Sequence, residues 1–173
     1  METIMTTDHA AFMRMAVELA HGCIQKPEGR PFGAVIAIDG KLAGRGMNES
    51  VLRCDPTAHA EVMAIRDACA KLGINRLPSG TLYASSEPCP LCLAAAMWAG
   101  ITEIYYSCSA QDAATLGFSD QDYYDQFALP PEQRKIQSHQ LLPGAGRAVV
   151  EAFYQKRMKG EVRGFVSEGP VEE

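Results

Sequence analysis

An extended run at 81–85, a helical run at 91–99 closed by Gly100, and a second extended run at 103–107 follow one another directly. This β-α-β order commits both strands to one parallel sheet and places the helix on a face of it. Upstream, the short Val- and Ile-rich run 34–39 meets Asp39-Gly40, a strong hairpin signal, and extended character resumes over 41–47. Alternating elements of this kind predict an α/β fold, a three-layer α/β/α sandwich with a mixed, mostly parallel central sheet, in which the hairpin supplies an antiparallel edge.

The helices of the outer layers are legible from periodicity. Phe12, Met15, Ala16, Leu19, Ala20 and Cys23 recur at helical spacing over 8–25, with Thr7 or Asp8 as N-cap. Asp55-Pro56-Thr57 offers start chemistry for a second helix over 58–72, stopped by Gly73. The stretch 111–134 mixes aromatics and acids without clear period, with a short helix at 112–116; a last strand is expected at 135–142 and a final helix at 145–159. We expect one domain over 1–160 and a polar tail over 161–173.

Composition excludes several classes. With 173 residues, 47% hydrophobic and 21% charged, the chain buries roughly 70% of its unfolded surface and needs no metal or disulfide merely to hold together. The net charge of −5 disfavours phosphate backbones and anionic lipid, so nucleic acid is not the expected partner. No stretch approaches the length of a membrane span. Four of the six cysteines sit in apolar or helical surroundings, which suggests free thiols and a reducing, cytoplasmic setting.

Two clusters carry the chemistry: His59-Ala60-Glu61 at the start of the second helix and Pro88-Cys89-Pro90-Leu91-Cys92 at the start of the third. Cysteines three apart on a helix start project to one side, and the partial positive charge of that terminus favours their thiolates. One imidazole with two thiolates is the ligand count of a catalytic zinc, whose fourth position holds water, whereas a structural zinc takes four protein ligands. Neither Cys54 nor Cys108 has convincing spacing for a fourth. Zinc lowers the pKa of its water to about 7, and Glu61, two residues past the histidine, is placed to take that proton and return it to a departing amine. H-x-E with P-C-x-x-C is the signature of zinc nucleobase deaminases.

On these residues the chain resembles the cytidine and deoxycytidylate deaminase superfamily, and within it the short, zinc-dependent bacterial guanine deaminases. The likeness extends to Pro31-Phe32-Gly33-Ala34, Asn48, Asp55 to Glu61, Glu87 to Leu93, and Asp112-Ala113-Ala114 leading to Gly117-Phe118-Ser119-Asp120. The last segment points to the guanine branch; the others are shared with tRNA adenosine deaminases and cytosine deaminases. The resemblance implies a hydrolase of C–N bonds in cyclic amidines that turns guanine into xanthine and ammonia. It implies zinc on His59, Cys89 and Cys92, and proton transfer by Glu61. Asn48 and Asp120 are expected to read the purine edge, Asp120 also moving protons. Phe32, Ala60, Trp98 and Phe118 are expected on the substrate side.

The resemblance also implies a homodimer in which a terminal Tyr from a swapped tail closes the pocket; here no Tyr follows Tyr154, and Phe165 is the available aromatic. Ser86 and Ser119 stand where cysteine and an acid are usual. Alternatives are another amine substrate (guanosine, an aminotriazine, cytosine or adenosine in tRNA) or a non-catalytic zinc protein of the same fold. Glu61 argues against the last. Lys156, Arg157, Lys159 and Arg163 form a basic patch, better explained by the dipole of the final helix than by phosphate binding.

Overall fold

The computed structural model describes residues 8–162; Thr7, Arg163, Phe165 and the tail from 163 onward lie outside the described residues. By internal contacts the chain divides into two compact units, Met1–Ala128 and Leu129–Glu173.

The first unit is built on a four-stranded sheet of β1 (Gly33–Ile38), β2 (Lys41–Met47), β3 (Gly80–Ser86) and β4 (Glu103–Cys108), in the order β2-β1-β3-β4. β1 pairs antiparallel with both neighbours, Val35 facing Arg45 of β2 and Tyr83 of β3, while β3 and β4 are parallel with Leu82 beside Ile104. Three of the four strands therefore run one way. The sheet is mixed as expected, but the antiparallel strand sits inside it and not at the edge, so two of its three ladders are antiparallel. The reason is burial. The side chains of β1 are apolar on both faces and all but Ile38 are buried, whereas β2 exposes Lys41, Leu42 and Arg45 and suits an edge.

Helix α1 (His9–Cys23) covers one face, where Phe12 and Ala16 pack with Val35, Ala37 and Tyr83. Helices α2 (Ala60–Leu72) and α3 (Pro90–Ala99) cover the other, where Ala60, Ala64, Ala68, Ala96 and Ala99 meet Ala34, Ile36 and Leu82. Adjacent residues of β1 thus serve opposite cores, as the two-residue period of a strand requires. Asp8 caps α1 by accepting a 2.9 Å bond from the Ala11 N–H. Gly73 and Gly100 end α2 and α3 at φ 67° and 79°, the left-handed geometry glycine adopts without strain.

After β4 come α4 (Ala110–Thr115) and α5 (Gln121–Ala128). α5 falls in the stretch read as aperiodic; its Tyr123, Tyr124, Phe127 and Ala128 do recur at helical spacing, but over only eight residues, and the three aromatics are largely exposed. The second unit holds a 3₁₀ turn (Pro131–Gln133) and α6 (Pro143–Met158). The strand expected over 135–142 does not form. Its alternating pattern meets no ladder among the described residues, and the segment is irregular up to Pro143. No described helix is long and apolar enough to cross a membrane.

Candidate metal centre and substrate cavity

Because β2, β3 and β4 run the same way, their C-terminal ends share one edge of the sheet with the start of β1, the usual place for a ligand in an α/β fold. Each strand end there hands the chain to a loop or helix start. β2 leads to Asn48, and the loop beyond it reaches His59 at the N-cap position of α2. β3 leads through Ser86 and Glu87 to Cys89 at the N-cap of α3, with Pro90 opening the helix. Neither His59 nor Cys89 uses its side chain to cap, so both are free to face each other.

His59 Nδ1 stands 3.5 Å from Cys89 Sγ and 3.5 Å from Cys92 Sγ, and the two sulfurs are 3.6 Å apart. Tetrahedral zinc, with Zn–S ~2.3 Å and Zn–N ~2.1 Å, spaces its ligands by about 3.8 Å for S to S and about 3.6 Å for S to N. The triangle fits that ion closely, and its borderline-soft donor set suits zinc. The three residues come from two helix starts 30 positions apart. In this geometry the Cys92 thiol hydrogen-bonds Cys89 and, with His59 beside it, draws the Cys89 thiol down to about 4 against the opposing effect of burial. Cys92, facing that thiolate from a buried site, is pushed up. His59 is raised, chiefly by its bond to Cys89.

A cavity of about 400 Å³ opens over this triangle, lined among others by Phe32, Asn48, His59, Glu61, Cys89, Phe118 and Asp120. Glu61 is only 8% exposed, and burial raises its carboxyl pKa. Asp120 is raised as well, by burial and then by the charge on Cys89, with His59 opposing. Phe32 and Phe118 meet edge to face at 5.2 Å and 88°. Asn48 is 6% exposed; its N–H donates to the Phe32 carbonyl at 3.0 Å, and its own carbonyl accepts from Cys23 Sγ at 3.3 Å.

Seven of the ten residues singled out in the sequence thus line one cavity. Cys92 is fully buried beneath it, and Ala60 is fully buried in the core. Trp98 does not line the cavity and is 72% exposed. Six residues past Cys92 on one helix, it points some 240° around the axis from it. Residues given no site role in the sequence also line the cavity: Arg30, Ser50, Pro56, Glu87 and Tyr123, with Ser86 and Ser119, the two departures from the family pattern. Glu87 had a visible place in the cysteine motif, and its carboxylate accepts from the Ala110 N–H at 2.8 Å, tying the start of α4 to the cysteine loop. Ser50 had no such signal, since a serine in a polar turn is unremarkable in sequence.

Residues 6–108 match the cytidine and deoxycytidylate deaminase zinc-binding region. The chain belongs to this family. It is a zinc-dependent deaminase, a hydrolase of C–N bonds in cyclic amidines. This deaminase is 43% identical to guanine deaminase of Bacillus subtilis over 134 residues, 78% of this chain and 86% of that one. The crystal structure of that Bacillus enzyme superposes with a TM-score of 0.81 at 37% identity, covering 94% of this chain and 98% of the other. It is also 43% identical to a tRNA-specific adenosine deaminase of Agrobacterium fabrum, but over 101 residues, 58% of this chain and 64% of that one.

Proposed function

We propose that this deaminase hydrolyses guanine to xanthine and ammonia, with His59, Cys89 and Cys92 holding zinc and Glu61 moving the proton. The observation that carries the reading is the cavity itself, in which the buried Glu61 carboxyl, the His59 and Cys89 ligands, and the Asn48 and Asp120 side chains open onto one space. The relation to the Bacillus guanine deaminase, which extends over most of both chains, supports the same substrate.

When bound, zinc supplies a Lewis acid that makes water a competent nucleophile near neutral pH. The residues of the chain do the rest. Glu61 accepts a proton from the attacking water, whose oxygen bonds to C2 of guanine. Glu61 passes that proton to N3, then carries the second proton, from the new hydroxyl at C2, to the 2-amino nitrogen; the C2–N bond breaks, ammonia leaves and C2 becomes a carbonyl carbon. A buried carboxyl with a raised pKa is suited to both halves of that transfer. Asp120 accepts N–H groups of the ring, Asn48 supplies an amide to its edge, and Phe32 and Phe118 pack on its faces.

A homodimer and a cytoplasmic location belong to the same proposal. Leu91, Leu93, Met97 and Trp98 form an exposed apolar side of α3, suited to a second copy, and none of the six cysteines is paired in a disulfide, which fits a reducing compartment. Light scattering tests the first.

The substrate is tested by incubating the zinc-loaded protein with guanine, following ammonia and xanthine, beside cytosine, guanosine, an aminotriazine and a tRNA anticodon stem. Guanine turned over fastest supports the reading; another amine turned over faster replaces it.

A further inference from the structure

Arg30 lines the cavity beside the acids Glu61, Glu87 and Asp120, yet its guanidinium has no hydrogen-bond or ion-pair partner among the described residues. Its backbone is nonetheless fixed. The Arg30 carbonyl accepts from the Phe32 N–H at 2.7 Å, closing a three-residue turn around Pro31, whose ring sets the φ that such a turn needs. The Phe32 carbonyl in turn accepts from the Asn48 N–H at 3.0 Å, and the Phe32 ring packs on Phe118. Arg30 therefore stands next to an aromatic of the cavity wall with five N–H donors uncommitted.

Exposure orders the lining from floor to rim. Asn48, Glu61 and Ser86 are buried, His59 and Cys89 are half-buried, and Arg30 is exposed. A purine with C2 directed at the metal triangle points its imidazole ring the opposite way, toward that rim. One side of guanine's imidazole ring carries N7 beside O6, both acceptors; the other carries N9–H, a donor. A guanidinium can only donate, so it suits the first side, and its planar fork spans O6 and N7 together.

We infer that Arg30 is a specificity-determining residue that donates to O6 and N7 of guanine at the mouth of the cavity. The inference rests on the reading of guanine as substrate and adds how a two-ring oxopurine is told from other amines. Cytosine and an aminotriazine have a single ring and leave the guanidinium unmet. Adenine sets an amino donor beside N7, where the guanidinium needs an acceptor.

The test compares wild type, Arg30→Met and Arg30→Lys, all zinc-loaded, on guanine and on 7-deazaguanine, which has C–H in place of N7. Loss of one hydrogen bond to a charged group corresponds to about a tenfold change. We expect wild type to favour guanine in kcat/KM, and Arg30→Met to cut that preference about tenfold by raising KM for guanine with kcat little changed. Arg30→Lys, a point charge without the fork, falls between them. Equal losses on the two purines in Arg30→Met, or none, overturn the inference. So does a preference for guanosine monophosphate over guanine that disappears in Arg30→Met, which assigns the cation to a phosphate.

If wild type leaves guanine untouched, the substrate reading fails, and equilibrium dialysis of the two purines decides on Arg30. Guanine held more tightly than 7-deazaguanine by wild type, and not by Arg30→Met, upholds its role. Equal retention of both by wild type sinks it.

Discussion

Gly46 of β2 lies so close to α2 that a β-carbon built on it would stand 2.2 Å from the carbonyl oxygen of Ala60. Such a carbon would also lie 2.5 Å from the Ala64 backbone nitrogen, and Gly44, two residues earlier on the same face, would meet Ala64 and Ala68 in the same way. Glycine at these positions lets the helix that begins with Ala60 and Glu61, directly after His59, settle onto the sheet.

Gly46→Ala should therefore destabilise by about 1–3 kcal/mol, the usual cost of overpacking, and zinc content should fall because the start of α2 must shift. Gly22→Ala is the control: it lies within α1 with nothing within 4 Å of its added carbon, and should be neutral or stabilise by up to about 1 kcal/mol. Thermal melts and metal analysis check both; an unaltered Gly46→Ala would contradict the packing.

Glu61→Gln preserves shape and removes the proposed proton acceptor. Turnover should drop by roughly 10²-fold to 10⁴-fold, the range for a general acid and base, with zinc still bound at one equivalent. Steady-state rates and metal analysis on one preparation separate this from loss of the metal. A variant of near-normal rate would remove Glu61 from the reaction.

Zinc removal by a chelator should abolish turnover, and added zinc should restore it. Cys92→Ala should lower metal content and turnover together, because His59 and Cys89 alone span one edge of the triangle. Activity surviving in metal-free protein would refute the metal dependence.

Asp120→Ala should weaken turnover of guanine more than of any adenine- or cytosine-type amine the enzyme accepts, by about tenfold or more for a charged hydrogen bond lost in a half-buried site. Parallel kinetics on the panel decide. Equal losses would make Asp120 a scaffold residue of the α5 start, where its carbonyl accepts from the Tyr123 N–H.

Acid should loosen the approach to α2. Asp55 is held below the usual carboxylate range, first by the Thr57 hydroxyl at 2.6 Å and then by the Thr57 N–H at 2.8 Å, with Arg66 nearby. For Asp67 burial acts upward, but Lys71 at 2.6 Å and the Arg45 N–H at 2.9 Å outweigh it, and its pKa is lowered too. A folded-state pKa below the unfolded one gives stability that is complete above the unfolded value of about 3.9 and lost as pH falls through the folded value. Melting temperature should decline from pH 5 to pH 3, less steeply in Asp55→Asn. Parallel slopes in the two proteins would show that Asp55 is not part of the transition.

The metal triangle was legible because its chemistry demands particular residue types at helix starts, and Pro90, Gly73 and Gly100 mark where those helices begin and end. Strand order was only half legible. The β-α-β unit specifies β3 beside β4, but nothing local states that β1 inserts between β2 and β3; that follows from which strand can bury both faces. Helix α5 escaped because its aromatics do not form a buried stripe, and Ser50 because a hydroxyl that serves an amide two residues away looks like any turn residue.

β1 touches the cavity at its first end, beside Phe32, and meets the Asp39-Gly40 turn at its last, where Gly40 has open space around it. Six residues of strand separate the two ends by about 17 Å. That distant corner offers an attachment point: a tether or dye coupled there would anchor the catalyst to a bead or electrode and leave its working end unencumbered.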